Sequence, residues 1–192
     1  MDYQLERWFN AGAGGLPPWD WLMILVALRA EVAFMAAVAA WFILGIVRHR
    51  PDDRVGAITA LLASGLALLV NQVVSHLVYR PRPFVTHPDT VRVLLGHSRD
   101  ASFPSDHAAA AVAISIVLIA FHRRLGIAAL LFAILVAYAR VYVGDHYPGD
   151  VLGGALVGLL AGLVFLHWLR PLPQTLGRLV DRLVPGQRTK AA

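Results

Sequence analysis

Apolar residues run through this chain in long unbroken blocks, not in the alternating or one-face patterns of half-exposed strands and helices. Five blocks stand out, at 21–47, 56–78, 108–121, 125–143 and 151–168. At 1.5 Å of rise per residue, about 20 residues cross a hydrocarbon core of about 30 Å. The third block is short alone but extends back towards Ser105. The pattern predicts an all-α fold, a polytopic transmembrane helical bundle with about five spans. In the last span Gly154, Gly158 and Gly162 recur every fourth residue, continuing the spacing of Gly149 and Gly153. Glycines so spaced let helices approach closely, and this face suits contacts within the chain or between subunits; the oligomeric state is left open. Ahead of the first span, residues 1–18 place Tyr3, Leu5, Trp8 and Phe9 as in an interfacial helix. Their two early acids, Asp2 and Glu6, do not fit a cleaved signal peptide.

Composition agrees with this picture. Of 192 residues, 58% are hydrophobic and only 15% charged, against about half and about a quarter in soluble domains. One membrane-embedded domain, 1–192, accounts for the length, with a basic tail at 171–192. There are no cysteines, so disulfides, thiolate metal sites and a cysteine nucleophile are excluded. The isoelectric point near 10.2 needs no nucleic-acid partner, because Lys and Arg beside span ends are retained in the cytoplasm. Arg48, Arg50, Arg54, Arg123, Arg124, Arg170, Arg178, Arg182, Arg188 and Lys190 fall on one side; Arg7, Arg80, Arg82, Arg92 and Arg99 fall on the other. The richer side is expected to be cytoplasmic, with the N-terminus and the long 80–104 loop outside. Arg29 and Glu31 interrupt the first block. Either the true span begins near Ala30, or these charges make a buried contact with Gln72, His76 or a site. His49, His122 and His167 sit at cytoplasmic ends as solvated residues.

Three polar clusters fall at span ends on the outer side: RPRPF (80–84), FPSDH (103–107) and ARVYVGDHYPGD (139–150). Such convergence is what a site between bundle helices requires. In the third, Asp150 in the first helical turn can orient one ring nitrogen of His146, leaving the other nitrogen as a nucleophile for phosphorus. Taken alone, this cluster would also fit a capping aspartate and a loop histidine. In the second, Ser105 is an N-cap whose helix start forms a phosphate cradle, and His107 is placed to protonate a leaving group. Arg82 and Arg140 supply planar forks for phosphoryl oxygens. Together these residues provide nucleophile, orienter, acid and clamps with neither metal nor cofactor.

The clusters resemble the signature of the type-2 phosphatidic-acid phosphatase superfamily, KxxxxxxRP, PSGH and SRxxxxxHxxxD, over roughly residues 20 to 170. Arg82 and Pro83 match the end of the first motif, PSDH (104–107) the second, and Arg140, His146 and Asp150 the third. Three positions depart: Ser75 stands where the motif lysine is expected, Asp106 for glycine, and Ala139 for serine. RPRPF, FPSDH and HYPGDVLG are similar to the bacitracin-resistance type of undecaprenyl pyrophosphate phosphatase. The resemblance implies an enzyme of the bacterial plasma membrane that hydrolyses polyprenyl diphosphate on the outer side and recycles a cell-wall carrier lipid. It implies His146 as nucleophile, Asp150 as orienter and His107 as general acid. Arg82, Ser105 and Arg140 would be phosphate ligands, joined by Asp106 and by Arg80 in place of the lysine, with Glu31 and Ser75 as supporting residues. Phosphatases of phosphatidylglycerol phosphate, phosphatidate or another lipid phosphate share the pattern. A small transporter with Arg29, Glu31 and His76 as its polar path is the non-enzymatic alternative, although paired broken helices are not evident.

The orientation is testable directly. A C-terminal reporter active only in the cytoplasm should give signal; a silent cytoplasmic reporter beside an active periplasmic one would invert the assignment.

Overall fold

The computed structural model describes residues 1–96 and 100–183, so Arg99, Arg188 and Lys190 lie outside the described residues. Among the described residues eight helices follow in order: α1 (Asp2–Asn10), α2 (Pro17–Val47), α3 (Pro51–Leu77), α4 (Pro83–Thr86), α5 (Asp106–Phe121), α6 (Arg123–Tyr142), α7 (Pro148–His167) and α8 (Pro171–Leu183). Proline opens α2, α3, α4, α7 and α8, where its fixed φ suits a helix start and its missing N–H costs nothing. Four helices, α2, α3, α6 and α7, are long and apolar enough to cross a membrane, and α5 is a shorter apolar helix among them. The five expected spans are therefore present as helices. Helix α2 runs unbroken from Pro17, so the residues ahead of Ala30 are helical too.

Helix α5 is the hub, packing against α2, α3, α6 and α7. Small residues make this possible: Ala108, Ala109, Ala111 and Ala113 are almost wholly enclosed. The glycine face of α7 meets α5 at backbone distance. A Cβ on Gly154 would stand 2.2 Å from the Ser105 carbonyl oxygen, and one on Gly158 would stand 2.2 Å from that of Ala109. The glycines thus serve packing within the chain. Only His122 separates α5 from α6.

Helix α1 is inside out as a soluble helix would be judged. Glu6 and Asn10 are buried, while Leu5 and Trp8 are exposed, as suits a helix with its apolar side towards lipid. Its polar side straps the 80–96 loop to the bundle. Asn10 Nδ2 donates to the carbonyls of Arg92 (2.8 Å) and Tyr142 (2.7 Å), and Asn10 Oδ1 accepts from the Arg92 amide. The Tyr3 ring stacks on His87 at 3.6 Å. At the opposite end α8 lies against α3, with Arg54 paired to Asp181. The expected basic tail at 171–192 is therefore helical as far as Leu183.

Two outcomes follow from this packing. Gly158→Ala should cost about 2 kcal/mol and lower the melting temperature in detergent, because the Ala109 carbonyl it meets is backbone and cannot rotate away; an unchanged melting temperature would contradict the α5–α7 contact. Burial of Glu6 pushes its carboxyl up to about 7 against the nearby Arg7 charge. A carboxyl raised in the folded state favours folding fully below its unfolded value of 4.5 and loses that contribution as pH climbs through about 7. Glu6→Gln should therefore raise the melting temperature at pH 8 and leave it unchanged at pH 4.

Candidate active site

All three clusters meet at one end of the bundle, around a cavity of about 480 Å³ bordered by Glu31, Arg82, Asp106, His107, Arg140 and His146. His146, 3% exposed, sits between the end of α6 and the start of α7. Its Nδ1 lies 2.8 Å from the Ser102 carbonyl oxygen. A carbonyl only accepts, so Nδ1 carries the proton and Nε2 carries the lone pair. Nε2 is 3.5 Å from Arg82 Nη1 and 3.4 Å from Asp145 Oδ2.

Asp150 stands behind the ring, 3.8 Å from Nδ1, beyond hydrogen-bond reach. The direct orienter is the Ser102 carbonyl, and Asp150 acts on the segment that presents it. Its Oδ2 accepts from the Ser102 hydroxyl (2.5 Å) and from the Tyr147 amide (2.8 Å), so it also caps α7. Its Oδ1 accepts from Arg80 Nη1 at 2.8 Å. Arg80 also pairs with Asp2 (2.6 Å), lies 3.9 Å over the Tyr147 ring, and accepts at its carbonyl from the Ser102 amide. Arg80 does not border the cavity. Its guanidinium is taken up by Asp150 and Asp2.

Arg82 and Arg140 approach His146 from the cavity side, and both are buried. Their shared counter-charge is Asp145, fully enclosed, with Oδ1 2.5 Å from Arg82 Nη1 and Oδ2 paired to Arg140 Nη2. Arg82 Nε also donates to Asp100 at 2.8 Å. Arg140 Nε is buried without a hydrogen-bond partner among the described residues, a donor that a phosphoryl oxygen would satisfy. His107 borders the cavity with its Nε2 3.9 Å from Glu31.

Other expected residues take different places. Ser105 is the residue before α5, but its hydroxyl makes no cap bond, is buried without a partner among the described residues, and does not border the cavity. Asp106 borders it with a carboxylate that accepts from Asn71 Nδ2 at 2.8 Å; its charge opposes an anion, leaving the helix start as the attractive part. Ser75 turns its hydroxyl to the Gln72 carbonyl (2.9 Å) and borders an adjoining cavity of about 410 Å³ instead. Glu31 and Arg29 are both exposed, but only Glu31 borders the cavity, and His76 bonds the Gln72 carbonyl. Ser102, Asp100 and Asp145 were missed by motif reading. For Asp145 a signal existed: two arginines buried in an apolar bundle require a neutralising acid, and this one adjoins His146. Among the described residues no three His, Asp or Glu side chains are grouped as metal ligands.

Residues 55–173, which hold all three clusters, match the model of the PAP2 superfamily. The chain belongs to this family. It is 33% identical over 187 residues to undecaprenyl-diphosphatase BcrC of Bacillus subtilis, covering 96% of this chain and 94% of that one. It is 34% identical over 149 residues to the bacitracin transport permease protein BcrC of Bacillus licheniformis, covering 75% and 72%. The crystal structure of Aquifex aeolicus LpxE superposes with a TM-score of 0.72 at 28% identity, covering 86% of this chain and 94% of that one. This PAP2 member is a multi-pass membrane lipid phosphatase.

Asp145 can be tested by removal. Asp145→Asn leaves two buried guanidinium groups without their carboxylate and should cost about 3 kcal/mol. Inorganic phosphate should then raise the melting temperature of the variant more than that of the wild type. Equal shifts would show that the anion does not bind between the two arginines.

Proposed function

We propose that this chain hydrolyses undecaprenyl diphosphate to the monophosphate and phosphate on the outer face of the bacterial plasma membrane, through a phosphohistidine on His146. The observation that carries the reading is the placement of the His146 ring: Nδ1 lies 2.8 Å from the Ser102 carbonyl oxygen, which leaves Nε2 facing Arg82 and the cavity. The B. subtilis relative named undecaprenyl-diphosphatase, similar along nearly its whole length, supports this substrate among lipid phosphates.

In the reaction, the terminal phosphoryl group displaces the Asp145 carboxylate from the arginine forks, which then share the charge of the pentacoordinate phosphorus. Nε2 of His146 forms the new bond to phosphorus as the bridging P–O bond breaks in line. The departing lipid phosphate takes a proton from His107. Water then attacks the phosphohistidine, giving its proton to the now neutral His107 and releasing inorganic phosphate, which restores both histidines. Holding nucleophile, phosphorus and acid in line supplies much of the rate, and proton donation by His107 about 10² to 10⁴. The outer placement rests on the arginines at 48–54, 123–124 and 170–182, which gather at the end opposite the site. Recycling of a cell-wall carrier lipid follows from the substrate. The name of the B. licheniformis relative favours transport as a second reading, in which the same cavity would pass a substrate without cleaving it.

Purified protein in detergent distinguishes the two. Phosphate release from undecaprenyl diphosphate should persist in EDTA and fall by several orders of magnitude in His146→Ala. Wild-type protein inactive on this and every other lipid phosphate would favour transport.

A further inference from the structure

A second cavity, about 570 Å³, continues from the catalytic one towards the opposite end of the bundle. Phe34 and Ile114 border both, so the two meet at a waist. On one side of the waist Phe34 stacks with Phe132 at 5.5 Å, joining α2 to α6. Beyond it, one wall is α2 and the other is α5 with α6. Alanines make the space: Ala33, Ala37 and Ala40 border it on α2, and Ala129 on α6. The three α2 alanines are exposed, whereas Ala57, Ala60, Ala63 and Ala67 on α3 are packed to about zero exposure. Their side of α2 is therefore open where α3 is filled.

Both ends of this path have a defined chemistry. The near end is the arginine and histidine cradle. At the far end, Asp53 accepts from His122 Nε2 (2.6 Å) and Trp41 Nε1 (3.2 Å), with Arg48 and Arg50 beside them. A charged floor does not accept hydrocarbon. Along α2, the residues that border one cavity or the other run from Ala27 to Leu44, about 26 Å at 1.5 Å per residue, most of the thickness of a hydrocarbon core.

We infer that the second cavity is the tail subsite, which takes the distal part of a single long polyprenyl chain whose diphosphate sits at His146. This rests on the proposed function and names the part of the substrate that the catalytic cavity does not hold. The argument is continuity: an apolar path leads from the phosphate cradle and ends at a polar floor. The stacked pair stands where the two cavities meet. Each methylene held there adds to affinity without touching the reacting phosphorus. Chain length is therefore read as KM.

The test narrows the groove from either wall with Ala37→Phe or Ala129→Phe, neither residue touching the catalytic groups. Steady-state hydrolysis is measured on undecaprenyl diphosphate and on farnesyl diphosphate, whose tail is too short to fill the space past the waist. The expected result is a KM for the long substrate raised roughly tenfold or more, with its kcat and both farnesyl constants unchanged. Either variant with this pattern supports the subsite, should the other fail to fold. Folded variants that leave both substrates unchanged, or slow both alike, overturn it. Wild-type protein that cleaves neither substrate overturns the catalytic reading instead.

Discussion

Two guanidinium groups are buried at the end of an apolar bundle, and their charge must be balanced by the protein itself. Asp145 balances both Arg82 and Arg140. Since the Coulomb gain of a buried ion pair barely offsets the desolvation of its members, such a cluster is costly to keep for stability alone. Two guanidinium groups held side by side suit a second anion. Arg140 retains a buried donor with no partner, and the carboxylate between the forks occupies the space a phosphoryl group needs.

The rest of the fold holds this charge cluster against His146. Glycines on α7 bring it to backbone contact with α5, which fixes the loops bearing His146 and Ser102 side by side; the Ser105 amide bonds the Asp150 carbonyl across the same junction. Arg80 then locks the first cluster to the third through Asp150, and Asp2 of α1 completes the set by binding Arg80 and the Gly149 amide. The N-terminal helix is thus tied directly to the residues that orient His146.

Much of this was legible in the sequence because it rests on local pattern. Long apolar blocks specify spans, every fourth glycine specifies a packing face, and polar clusters at span ends mark where they converge. Pairings between distant segments left no such trace. Ser102 has no motif of its own, and its carbonyl matters only because Ser102 lies against His146 and Asp150. Arg80 and Arg82 are equivalent in the string RPRPF, yet one faces Asp150 and the other faces the cavity. Ser105 and Asp150 both read as helix caps; only Asp150 caps with its side chain, because the Ser105 hydroxyl is turned into the packing. Asp145 was legible in principle, through the charge it must balance.

The central claim is that phosphorus passes through a covalent bond to His146. Two successive in-line displacements each invert configuration, so their product retains it, whereas direct attack by water inverts once. The deciding measurement is the stereochemical course at the terminal phosphorus of a prenyl diphosphate that carries one sulfur and one heavy-oxygen isotope there, hydrolysed in water of the third oxygen isotope so that the released thiophosphate is chiral. Retention is the predicted result; inversion would contradict the phosphohistidine and leave His146 as a base that activates water.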